Sequence, residues 1–187
     1  MEGMKREVKV EQKKGLGISD IILVAVLLAA GLVLKLTVGT FVNLGGMKPN
    51  FVIAMYCLAI YLIKPKLYEA AIIGLLAGAI CQIMPGTPYL NFLSELVGAV
   101  AMGLLVKLPL SIKKFSLTTS LGTFISTVLS GTTFVVGKLI IFQVELSTLA
   151  VYIPIVLSTA LINTIIVQVL ALPLERILKK TPAEART

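Results

Sequence analysis

Six apolar runs, at residues 21–38, 50–63, 67–84, 89–108, 115–142 and 146–178, fill most of the chain and are separated by short breaks, the first four of them rich in Lys, Pro or Gly. Few folds accept such a pattern. At about 20 residues per helix crossing the hydrocarbon, the 187 residues hold six spans and leave no room for a soluble catalytic domain. Composition agrees: 57% of residues are hydrophobic and 14% charged, with a mean hydropathy of +1.00, against about 45–50% and about 25% in a soluble domain. Disorder is excluded by the same figures.

The breaks follow from residue chemistry. Gly45-Gly46 and Pro49 interrupt any helix between the first two runs, Lys64-Pro65-Lys66 ends the second, and Pro85-Gly86-Thr87-Pro88 ends the third. Lys107, Pro109 and Lys113-Lys114 separate the fourth from the fifth, Ser19-Asp20 provides an N-cap for the first, and Pro154 and Pro173 predict kinks in the last. The expectation is an all-α integral membrane bundle of six transmembrane helices. Residues 1–18 read as a cytoplasmic arm, too long and too acidic for the start of a signal peptide, 19–178 as the helical domain, and 179–187 as a cytoplasmic tail.

Charge sets the expected orientation. Fourteen of the 17 Lys and Arg residues fall in the amino-terminal arm, in or beside the second–third and fourth–fifth connections, and from Arg176 onward, which makes that side, with both termini, cytoplasmic. The net charge of +8 therefore reports topology and attraction to anionic lipid. Scattered over four short segments without a binding motif, the basic residues do not describe a nucleic-acid surface.

Enzyme chemistry has little to work with. There is no His, so the commonest general base and nitrogen ligand are missing. Cys57 and Cys81 stand far apart in apolar runs and read as packed thiols, and no metal pattern or cofactor motif is present. The segment from Gly131 to Lys138 imitates a phosphate loop, but one residue too many separates its glycines and Leu139 stands where Ser or Thr is required.

The informative residues are those that the bilayer does not explain, because an ionisable group at membrane depth is costly and marks a cavity or a partner. Lys35, Lys48, Glu95, Lys138 and Glu145 all fall toward the outward side. Lys35 and Lys138 are expected to snorkel to the surface and Glu145 to cap a loop. Lys48 and Glu95 each stand at the entrance of a span beside a helix-breaking segment, with Asn91 on the same helix face as Glu95. Such a cation and anion suit the two ends of a zwitterionic amino acid, or else form a structural ion pair with each other.

Small residues add a packing pattern. Ala25/Ala29, Gly74/Gly78 and Ala99/Gly103 recur at four-residue steps that let helices approach closely. Thr119, Thr123, Ser126, Ser130, Thr133 and Gly137 form a polar seam along the fifth run, either for helix packing or, at Ser130 to Thr133, to line a cavity.

A Lys-rich start, the Ala25-x-x-x-Ala29 step, the loop Gly46-Met47-Lys48-Pro49-Asn50-Phe51 and six spans in this length resemble the TrpP tryptophan transporter family, with Ser130-Gly131-Thr132 as weaker support. That family is in turn similar to the substrate-binding S-components of energy-coupling-factor (ECF) transporters. The resemblance implies a substrate pocket on the extracellular half and docking of a partner transmembrane subunit on Ala25 and Ala29, with ATP hydrolysis left to separate subunits. For tryptophan, Lys48 and the amides near Asn50 would take the carboxylate and Glu95 with Asn91 the ammonium. Phe41, Met47, Phe51, Tyr89 and Phe92 would wall the indole, and Ser130 or Thr133 would accept its N–H. The alternative is an S-component for a vitamin or another aromatic amino acid.

Overall fold

The computed structural model describes residues 15–41, 48–83, 87, 89–108, 111–112 and 115–180. The arm as far as residue 14, the breaks at Gly45-Gly46-Met47, Pro85-Gly86 and Pro88, and Pro109, Lys113-Lys114 and the tail from residue 181 lie outside them. Six long helices follow in order: α1 (Ile18–Leu36), α3 (Val52–Ile63), α4 (Leu67–Cys81), α5 (Leu90–Leu105), α6 (Leu117–Ile141) and α7 (Leu149–Lys180). A single turn, α2 (Val38–Phe41), follows α1, and a 3-10 turn (Leu146–Thr148) leads into α7. The all-helical expectation holds, with one addition: Ser111–Ile112 (β1) and Phe115–Ser116 (β2) pair antiparallel in the connection before α6.

The ends of the helices have local causes. The Asp20 carboxylate accepts the Gly17 N–H at 3.1 Å, so α1 begins two residues before the expected Ser19-Asp20 cap, with the acid inside its first turn, where the helix dipole favours it. Glu69 reaches back in the same way to the Lys66 N–H at 2.7 Å and starts α4. Asn50 Oδ1 accepts the Val52 N–H at 3.3 Å at the head of α3. At its tail Lys64 turns left-handed (φ 50°) and Pro65 cannot continue the helix. Pro154 lies within the continuous α7, and the carbonyl of Pro154 accepts the Ser158 hydroxyl at 2.6 Å.

Length separates two kinds of helix. Three apolar segments, Ile18–Leu36, Leu117–Ile141 and Leu146–Leu178, are long enough to cross a membrane. Helices α3, α4 and α5 have 12, 15 and 16 residues, or about 18–24 Å at 1.5 Å per residue, against a hydrocarbon core of ~30 Å. Of the six expected full spans, three are thus matched by helices of membrane-crossing length and three by helices below it.

The shortest of these six helices is the centre. Every residue of α3 from Val52 to Ile60 is buried, and α3 touches α1, α4, α5, α6 and α7. A run that is apolar on every face can be satisfied only by such enclosure. Around it lie Val24, Leu27, Leu28, Ile73, Met102 and Val167, all buried, while Ile22, Val26, Leu161, Ile165 and Val169 are exposed. An apolar surface over an apolar core is what a lipid solvent requires.

Small residues set the helix spacing. A Cβ on Gly74 would stand 2.7 Å from Ala99 Cβ and 2.8 Å from the Glu95 carbonyl, and one on Gly103 2.8 Å from Ala70 Cβ, so α4 and α5 meet along these positions. Gly31 likewise lets α1 approach α3, where a Cβ would lie 2.9 Å from Val52 Cα. Leu67 beside Gly103, Thr118 bonded to the Leu108 carbonyl and Tyr61 bonded to Glu175 bring the ends of α3 to α7 together at one end of the bundle. Lys64, Lys66, Lys107 and Arg176 are at this basic end, all exposed.

Candidate functional site

Glu95 sits in the second turn of α5, 1% exposed, at a depth where water cannot solvate it. Its carboxylate is held by neutral donors. Asn50 Nδ2 donates to Oε1 at 2.6 Å, Ser94 Oγ lies 3.5 Å from the same oxygen, and Ser130 Oγ donates to Oε2 at 3.3 Å. Asn50 is reached from two other helices. The Cys81 thiol, at the last residue of α4, is 3.7 Å from Asn50 Nδ2, and Asn163 Nδ2 of α7 donates to the Asn50 carbonyl at 3.1 Å. Asn163 also lies 3.4 Å from Thr127 Oγ1 on α6.

Lys35 completes the group from α1. It is 8% exposed, beside the Cys81 thiol and within electrostatic reach of Glu95. All six long helices therefore contribute a polar side chain to one buried knot: Lys35, Tyr56, Cys81, Glu95, Ser130 and Asn163. The knot lies at the amino-terminal end of α3, where the chain enters as the non-helical segment Lys48–Asn50. Irregular backbone at membrane depth is tolerated where protein buries it or where it lines a cavity.

Hydrogen bonding around the knot is incomplete. Tyr56 is 0% exposed, and its hydroxyl is directed at Glu95 and Ser130 yet completes no hydrogen bond of good geometry among the described residues. Gly98 makes room for that hydroxyl, which a Cβ would strike. Thr123 Oγ1, Ser126 Oγ and Asn163 Oδ1 are also buried without a partner among the described residues, the first two beside the Cys57 thiol. An unsatisfied buried polar atom costs about 1–3 kcal/mol, so each of these atoms would gain from a hydrogen-bonding partner.

Of the residues singled out in the sequence, Asn50, Glu95 and Ser130 meet directly. Phe51 and Asn91 are buried at 4% exposure each, next to Asn50 and one turn before Glu95. Phe92 is half-buried against Gly78. Thr133 bonds back to the Leu129 carbonyl at 2.8 Å and, with Leu93, Leu129 and Val136, borders a groove of about 350 Å³. Phe41 and Tyr89 are 89% and 78% exposed, away from the knot, and Met47 lies outside the described residues. Lys48 is half-buried and forms no ion pair with Glu95 among the described residues. Ala25 and Ala29 lie on the exposed face of α1.

Two expectations change. Lys35 and Lys138 do not snorkel. Lys138 is 8% exposed, donates to the Tyr152 hydroxyl at 2.9 Å and stands 4.8 Å from the centre of that ring, a clamp between α6 and α7. Lys35 is drawn inward because helix rotation continues the buried stripe Val24, Leu28, Gly31 onto it. That stripe was a readable signal. Asn163 also had one, as an amide in the middle of an apolar helix, whereas Tyr56 and Cys81 had none.

Comparison with known proteins adds one match. The family described as Tryptophan transporter TrpP matches residues 17–179, from the residue before α1 to the last turn of α7. No curated protein and no solved structure matches the chain.

Proposed function

The chain belongs to the TrpP family of tryptophan transporters, and from that premise we propose that it takes up tryptophan across the cell membrane, binding it in the outward half of the bundle at the Glu95 knot. Transport rather than catalysis follows from the family. The observation that carries the choice of site is convergence: six helices place polar side chains around one buried carboxylate, a cost in the membrane that substrate binding justifies. The basic end faces the cytoplasm by the excess of Lys and Arg there. The amino terminus is then cytoplasmic and the knot opens outward.

Glu95 with Asn91 receives the substrate ammonium, and the carboxylate enters past Lys48 and Asn50. Phe51, next to Asn50 in the chain, and Phe92, in the turn before Glu95, wall the indole. Phe41 and Tyr89 belong to the approach. Ser130 or Thr133 accepts the indole N–H. The test is uptake of labelled tryptophan into proteoliposomes containing the purified chain. Saturable uptake, competed by excess tryptophan and unaffected by a vitamin panel, is expected, and a chain that binds a vitamin but no tryptophan refutes the reading.

The exposure of Ala25 and Ala29 favours a second arrangement, in which α1 docks an ECF transmembrane subunit and ATP hydrolysis in attached subunits drives the cycle. Co-purification of those subunits with the parent chain and their loss from Ala25→Leu/Ala29→Leu would establish it. Uptake by the isolated chain at the full cellular rate would exclude it.

A further inference from the structure

We infer that Lys35 is the cation that binds the substrate carboxylate inside the site, so that Lys35 and Glu95 together recognise the α-amino acid zwitterion. The inference rests on the tryptophan-uptake reading and gives the site its second charge. Lys48 was the expected cation, but it is only half-buried and outside contact with Glu95 among the described residues. Lys35, at 8% exposure, is enclosed by the protein at the level of Cys81, Asn50 and Glu95.

The arrangement of charges argues for a ligand. Lys35 and Glu95 lie within electrostatic reach of each other without forming a contact ion pair among the described residues, and the bonds to Glu95 come from Asn50, Ser94 and Ser130, all neutral. A fully structural pair would close the gap, because desolvating two charges is repaid only at contact and with good geometry. Opposite charges held apart, with Asn50 and Cys81 between them, instead leave each with capacity for another partner of opposite sign. An α-amino acid carries both partners on one carbon. Position in α1 agrees, since Gly31, one turn before Lys35, brings this helix against the head of α3, and Lys35 in the last turn cannot extend to solvent without leaving the buried stripe.

Ligands lacking one charge separate recognition from structure. The full chain in nanodiscs is titrated with tryptophan, tryptamine, which lacks the carboxylate, and indole-3-propionate, which lacks the ammonium. Lys35→Met should weaken tryptophan by roughly 10- to 100-fold, the range for losing a charged hydrogen bond, and leave tryptamine within about threefold of its affinity for the parent. Glu95→Gln should weaken tryptophan and spare indole-3-propionate. Equal loss of tryptophan and tryptamine in Lys35→Met, or no loss of either, overturns the assignment. Should Lys35→Met not fold, Lys35→Arg carries the test: the tryptophan-to-tryptamine affinity ratio must move by at least about threefold when the cation changes shape, and an unchanged ratio overturns the assignment. A parent chain that binds none of the three ligands refutes the uptake reading itself, which distinguishes that failure from an error about Lys35.

Discussion

The two ends of α3 are built by the same helices under opposite rules. Toward Lys64 the packing is dry: Ala70, Ile73, Met102 and Val106 enclose the helix, and glycine and alanine let α4 and α5 touch. Toward Asn50 the same helices present Lys35, Glu95, Ser130 and Asn163, with hydroxyls and an amide oxygen left without partners among the described residues. One end spends its side chains on close fit and the other on unfilled polar capacity. Stability and ligand binding should therefore separate along a single helix only ~18 Å long.

The largest effect is expected where the polar end is cut. Glu95→Ala removes the acceptor of three side-chain donors and should lower tryptophan affinity on the order of 100-fold or more, in the range for deleting one partner of a buried charged contact. Titration in nanodiscs measures it, and an affinity within threefold of the parent would mean that the knot is structural. Next, Gly103→Val at the dry end forces a side chain into a gap that Ala70 and Leu67 already fill. Overpacking of this kind costs about 1–3 kcal/mol, so thermal unfolding in detergent should shift downward while the folded fraction keeps its ligand preference. No shift would contradict the α4–α5 contact. The smallest change sharpens the boundary between the ends. Tyr56→Phe deletes a hydroxyl without a well-formed hydrogen bond among the described residues. It should alter stability by less than about 1 kcal/mol yet weaken tryptophan severalfold; a large loss of stability with unchanged affinity would place Tyr56 with the core.

Much of this division was written in the chain. The six runs located the six helices, with Pro and Gly marking all but the last break, and Glu95, Asn50 and Ser130 were identifiable because a lipid solvent gives no reason for them. Lys35 was misread for a physical reason. A lysine near a helix end can reach the surface or the interior, and the direction depends on helix rotation, which the stripe Val24, Leu28, Gly31 reveals but position in the run does not. Tyr56 and Cys81 were invisible because nothing within an apolar run says which of its side chains will face a charge on another helix. Phe41 and Tyr89, chosen for their aromatic character beside breaks, are exposed at the helix ends, since proximity to a break in sequence does not fix the side from which a ring is covered.

The shortness of α3 also bears on how a solute could pass. A molecule reaching Asn50 still has the length of α3 ahead of it, plugged by side chains packed at van der Waals contact. No rearrangement of a few side chains turns such a plug into a pore. Release on the far side requires the helices around α3 to part, and collective helix motions of that kind occur on microsecond to millisecond or longer timescales. Under the uptake reading, the bundle carries molecules one at a time, at a turnover set by how often it opens.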